Sequence, residues 1–138
     1  SYGQIFSVMP FGNGVVTKTL TGAQLKALLE LQFRASTYAP GFRPALLVPS
    51  ASLNYSYALS RPIGNRVTRI QLNGKPIVAT RRYRVATIDY LASGGDGYSV
   101  FADGRDAVEA GTDLDATAAW IAKGQAVPAV GRTRNLAN

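Results

Sequence analysis

Cysteine and histidine are both missing from these 138 residues. Without cysteine there is no disulfide and no thiolate nucleophile, and without histidine there is no Ser-His-Asp triad, zinc finger or His-containing metal site. Acid is scarce as well. Glu30 is the only carboxylate side chain in residues 1–88, which argues against an all-carboxylate metal cage in that stretch. No apolar run reaches the roughly 18 residues that a membrane-crossing helix needs, so no membrane span is expected. The opening SYGQIFSVMP lacks a basic leader region.

What is present fits a folded chain of the soluble type. Hydrophobic residues make up 46% and charged residues 17%, values that leave enough apolar side chains for a core. The length is that of a single domain. Charge is unevenly spread: residues 1–88 carry eleven basic side chains and one acidic, residues 89–138 four basic and seven acidic. Such asymmetry fits a solvated basic sheet face, an anionic small ligand, an acidic partner surface or nucleic acid. Arg61, Arg66, Arg69, Arg81, Arg82 and Arg84 follow strand spacing rather than forming one dense run, so no nucleic-acid partner is expected.

Local patterns divide the chain. SYGQIFSVM reads as a short helix or a strand, Ile5, Val8 and Met9 tilting it slightly to helix; Pro10 stops it, and PFGNG (10–14) is a turn by composition. VVTKTL (15–20) reads as a strand. Thr21-Gly-Ala-Gln24 is a capping-box pattern opening a helix whose Leu25, Leu28, Leu29 and Phe33 share one face and belong to the core. Residues 35–50, punctuated by Pro40, Gly41, Pro44 and Pro49, are loop-like. Leu53, Tyr55 and Tyr57 alternate on a half-buried strand. VTRIQLNGKPIV (67–78) is a hairpin about Asn73-Gly74. YRVATIDYLA (83–92) reads as a buried strand, and a last helix starts near Thr112, with Asp113 and Asp115 in its first turn and Lys123 and Gly124 at its end. The tail from Val127 is polar and expected to fray unless it pairs as a last strand. No repeat or linker interrupts this order. The expected class is α+β, a single domain with a mixed or antiparallel sheet and packed helices.

Two stretches hold more glycine and aromatic residues than packing asks for: PFGNG (10–14) and DYLASGGDGY (89–98). Neither is a phosphate-binding P-loop, which needs Lys and Ser or Thr after its last glycine, and GGDG is not a dinucleotide fingerprint. Taken alone, each is as readily a tight turn as a ligand wall.

Taken together and in order, PFGN, then T-G-x-x-L-x-x-L-L-E, then Y-R-V-A-T-x-D-Y-L-A-S-G-G-D-G-Y resemble the C-terminal domain of the 5′-nucleotidase family. That family includes UDP-sugar hydrolases and 2′,3′-cyclic-nucleotide phosphodiesterases. The resemblance runs from about Tyr2 to Gly131 and Arg132. It implies that residues 1–138 are the substrate-binding domain of a parent hydrolase whose N-terminal metallophosphoesterase domain, with two divalent metal ions, is absent from this chain. It further implies that Phe11 and Tyr90 sandwich a nucleobase, that Asn13 hydrogen-bonds the base, and that Asp96 accepts from the ribose hydroxyls. Gly41 corresponds to a loop glycine near the base pocket. Tyr90 departs from the phenylalanine common at its position, so its hydroxyl needs a partner or solvent. Asp89 stands where relatives carry Asn or Asp and is expected to shape the turn.

Paired aromatics grip the two π-faces of a base without selecting one base, and an ionised carboxylate accepts from both hydroxyls of a diol. The expected partners are a nucleotide or nucleoside and the N-terminal domain of the same protein. No catalytic residue, metal site or cofactor is expected in this chain, which should be inactive by itself. The resemblance also implies a periplasmic, secreted or cell-surface location. The alternatives are a free-standing nucleoside-binding module and, on charge alone, a nucleic-acid-binding domain; ordinary core packing of Phe11 and Tyr90 is the bland rival for the site.

Overall fold

The computed structural model describes residues 1–34, 45–127 and 129–136. Its elements are α1 (Tyr2–Val8), β1 (Gly14–Thr21), α2 (Gly22–Glu30), β2 (Leu53–Tyr57), β3 (Val67–Leu72), β4 (Lys75–Pro76), β5 (Arg82–Ile88), α3 (Asp89–Ala92), β6 (Arg105–Thr112), α4 (Asp113–Ala122) and β7 (Thr133–Asn135). Helices and mixed sheets alternate as an α+β chain. The backbone gathers into two compact units, one of residues 1–20 and 83–127, the other of residues 21–82 and 128–138.

The first unit holds the sheet β5-β1-β6. β1 and β6 run antiparallel, Gly14 opposite Thr112 and Thr17 opposite Val108, with two register irregularities. Val16, Leu20, Ala92, Phe101 and Leu114 are its buried apolar side chains. α4 begins where expected: the Thr112 hydroxyl accepts from the Asp115 amide, Asp113 and Asp115 occupy the first turn, and Gly124 follows with φ of 61°. Acid at a helix start is favoured by the unpaired amides there. α1 and α4 are linked through the Tyr2 hydroxyl, which donates to Asp115 Oδ1 at 3.2 Å.

The second unit holds the sheet β4-β3-β2-β7. β2 and β3 are antiparallel, and β7, the paired tail, runs parallel to β2. The β3–β4 turn has φ of 50° at Asn73 and 76° at Gly74, the conformation that Asn-Gly favours in tight hairpins. α2 starts with its capping box complete: Gln24 N donates to Thr21 Oγ1 while Gln24 Oε1 accepts from Thr21 N. Leu29, Phe33, Tyr55, Tyr57, Val67 and Ile70 form the core, the Phe33 and Tyr57 rings lying 4.9 Å apart. Gln32 and the Leu47 carbonyl satisfy the buried Tyr55 hydroxyl. Glu30 is buried too, and its carboxylate caps the start of β3, accepting from the amides of Arg66 at 3.0 Å and Val67 at 2.7 Å.

Two elements differ from expectation. The strand expected over 83–92 ends at Ile88, and Asp89–Ala92 is a helical turn. β5 also alternates exposed and half-buried positions rather than lying wholly buried. β6, Arg105–Thr112, has no apolar alternation and nearly all of it is exposed. Its pairing with β1 makes it a strand.

Candidate nucleoside-binding site

The four site residues that can be placed all lie in the first unit, on two loops and the turns beside them. Gly41 lies outside the described residues. The first loop leaves α1 at Met9 and turns through Gly12, whose φ is 58°. It presents Phe11 almost wholly to solvent, 85% exposed. Tyr90, in the α3 turn, is 51% exposed. Among the described residues neither ring pairs with another aromatic. Core packing therefore does not account for either side chain, because a large apolar ring left in water forgoes the main stabilisation its burial would bring.

A side chain not singled out as a ligand joins the loops. Asp89 Oδ2 accepts from the Gly14 amide at 3.1 Å, and Asp89 Oδ1 accepts from the Tyr90 amide at 2.7 Å. The approach is close enough that a Cβ on Gly14 would stand 3.0 Å from Asp89 Oδ2. One carboxylate thus ties the end of PFGNG to the residue that begins the aromatic turn, shaping it as the sequence leads one to expect.

Asn13 is anchored at both ends. Its carbonyl accepts from the Asp113 amide at 2.9 Å, and its side-chain Nδ2 donates to Asp113 Oδ2, also at 2.9 Å. An amide whose NH₂ is engaged by a carboxylate turns its oxygen the other way, so Asn13 offers an acceptor. Asp113 Oδ1 is buried without a hydrogen-bond partner among the described residues. Asp113, first residue of α4, therefore positions Asn13 as well as starting a helix.

The glycine-rich stretch resolves into a left-handed Gly94 (φ 96°) and two single 3₁₀ turns, Gly95–Gly97 and Ser99–Phe101. Asp96 itself sits at φ 50°, and the Tyr90 hydroxyl donates to its Oδ1 at 2.9 Å. The Asp96 amide points back at the same hydroxyl, 3.3 Å away. The ring lies so close over Gly95 that a Cβ there would meet the Tyr90 carbonyl at 2.5 Å and ring carbons at 2.7 Å. Only glycine fits. The extra hydroxyl that distinguishes Tyr90 from phenylalanine thus has a protein partner, the proposed ribose acceptor.

Lys18 braces this stretch from β1. Its ammonium donates to the Ala92 carbonyl at 2.8 Å and the Phe101 carbonyl at 3.0 Å, one on each side of the loop. Sequence spacing did not mark it, since its partners stand 74 and 83 residues away. Among the described residues no three His, Cys, Asp or Glu side chains gather in a way that could hold a metal ion. No helix among them is long and apolar enough to cross a membrane.

The profile of the 5′-nucleotidase C-terminal domain matches residues 1–103. The chain belongs to that family. Over 106 residues, 73% of this chain, it is 35% identical to the trifunctional nucleotide phosphoesterase protein YfkN of Bacillus subtilis, of which the match covers 7%. It is 25% identical over 136 residues to a 5′-nucleotidase of Diplobatis ommata, covering 91% of this chain and 23% of that protein. The crystal structure of the 5′-nucleotidase precursor from Thermus thermophilus superposes with a TM-score of 0.75 at 26% identity, over 99% of this chain and 28% of the other. This 5′-nucleotidase C-terminal domain therefore spans between 7% and 28% of the length of these relatives.

Proposed function

We propose that this chain is the nucleoside-recognition domain of a metal-dependent 5′-nucleotidase-type phosphohydrolase, a separate metallophosphoesterase domain supplying the chemistry. Phe11 and Tyr90 stack on the base, Asn13 offers its side-chain oxygen to a donor on the base edge, and Asp96 accepts from the ribose hydroxyls. The observation that carries this reading is the exposure of both Phe11 and Tyr90 on loops tied by Asp89. Two large rings held at the surface, beside an acceptor amide and a carboxylate, suit a flat ligand with donor groups at its edge and on its sugar.

Asp96 keeps capacity for a sugar while bound to Tyr90, because a carboxylate has about four lone-pair sites. The chain's own part is to bind and orient. The two metal ions belong to the catalytic domain, where they would activate water against the phosphate; among the described residues no three His, Cys, Asp or Glu side chains gather to hold one. A periplasmic or secreted location follows from the same family reading. The chain alone is expected to leave AMP intact in the presence of Mn²⁺, and turnover well above blank would sink that part of the reading.

The test of recognition is amide chemical-shift mapping with adenosine. Shifts concentrated at Gly12–Gly14 and Gly94–Tyr98 support the assignment. Saturable shifts confined to other segments, or none up to the solubility limit of adenosine, overturn it.

A further inference from the structure

A second polar surface lies wholly within the other unit, on the outer face of its sheet. Ser56 of β2 pairs with Arg69 of β3 on one side and with Arg134 of β7 on the other. Its neighbours in sequence, Tyr55 and Tyr57, are buried in the core. Side chains alternate between faces along a strand, so Ser56 and its two pairing partners stand on the opposite, outward face. Strands lie about 4.8 Å apart, which places the Arg69 and Arg134 backbones about 10 Å from each other with Ser56 between them. Arg132, two residues before Arg134, adds a third guanidinium, steadied by donation to the Pro49 carbonyl at 2.8 Å.

These groups line a concavity of about 330 Å³ together with Asn54, Ser56 and Gln71, and no acidic side chain lines it. Among the described residues, the Arg69 and Arg134 side chains make no hydrogen bond or ion pair. Nor is there an acid to compensate them elsewhere in the unit. Residues 21–82 and 128–138 hold eleven basic side chains and a single acid, Glu30. That acid is buried and committed to the amides of Arg66 and Val67. Like charges gathered on one sheet face repel, and a shared anion relieves that repulsion.

We propose that this face is a binding site for a small phosphate-bearing polyanion free in solution, held by Arg69, Arg132 and Arg134. Guanidinium groups present paired donors that match phosphate oxygens, and the side-chain amides of Asn54 and Gln71 supply further polar contacts at the rim. The concavity suits a ligand of a few phosphate groups. It is a poor nucleic-acid platform, because its one aromatic, Tyr55, is 1% exposed and offers no ring for base stacking. The site shares no residue with those proposed to bind the nucleoside and does not depend on that reading.

Calorimetric titration of the whole chain with inorganic pyrophosphate, at fixed ionic strength of about 0.1 M to hold screening constant, tests the proposal. Saturable one-site binding is expected, weakened at least tenfold in Arg69→Gln/Arg134→Gln. It should change less than twofold in Lys26→Gln/Lys123→Gln, which removes the same charge elsewhere. In the unaltered chain the side-chain N–H signals of Arg69, Arg132 and Arg134 should shift on titration, a readout that survives if the double variant folds poorly. Equal weakening by both charge-matched variants, absence of saturation, or shifts at other arginines would overturn the site. So would binding to phosphatidylglycerol vesicles or a single-stranded oligonucleotide without saturable pyrophosphate binding.

Discussion

The Tyr90 hydroxyl donates to Asp96 Oδ1 at 2.9 Å, so a residue proposed to stack on the base holds the residue proposed to read the sugar. In Tyr90→Phe the ring remains and the bond is lost. Adenosine affinity should stay within about threefold of the parent, whereas Tyr90→Ala should lose about fivefold or more, since stacking contributes about 1–3 kcal/mol per base. Calorimetric titration of both variants separates the ring from its hydroxyl.

Gly95 should tolerate no side chain. In Gly95→Ala the new methyl would collide with the Tyr90 carbonyl and ring. Both the loop and the ring must shift, at a cost of about 1–3 kcal/mol. Urea denaturation should show that loss, and adenosine titration should show weakened binding in the fraction that stays folded.

Asp113 should act on binding through Asn13. Asp113→Ala releases the Asn13 amide, and adenosine binding should weaken several-fold. With Asn13 presenting its oxygen, adenosine should bind more tightly than purine riboside, which lacks the exocyclic amine, and Asp113→Ala should narrow that gap. A gap unchanged in the variant would separate Asp113 from base recognition.

Glu30 and Lys18 should divide stability from binding. Glu30→Gln places a neutral amide where a buried carboxylate accepts from two backbone amides, and should cost about 1–3 kcal/mol in urea denaturation with little change in adenosine affinity. Lys18→Met frees the Ala92 and Phe101 carbonyls that bracket the glycine-rich stretch. Faster amide hydrogen exchange across Gly94–Tyr98 is the expected consequence.

What could be read from sequence was what neighbouring residues decide among themselves. The α2 capping box, the Asn73-Gly74 turn and the acidic start of α4 each involve residues three or fewer positions apart, and each stands where expected. β6 escaped because Arg105–Thr112 has no apolar period; its strand character comes from β1, more than eighty residues away in the chain. α3 escaped because IDYLA continues the apolar run of β5. What accompanies its turn is the Asp89 bond to Gly14, 75 residues distant. Of the proposed site, Phe11, Asn13, Tyr90 and Asp96 stand out in the sequence as residue types within motifs. Asp113 and Lys18 do not, because contacts spanning 74 to 100 residues leave no spacing to recognise.

Phe11 and Tyr90 are proposed as a ligand surface rather than misplaced core. The most direct measurement is calorimetric titration of the folded chain with adenosine, beside Phe11→Ala. Saturable binding to the parent is expected, with a loss of about fivefold or more in the variant, by the same stacking argument of about 1–3 kcal/mol, and with the urea midpoint unchanged because Phe11 is 85% exposed. Equal adenosine affinity in the two proteins, or a variant that loses stability instead of affinity, would contradict it.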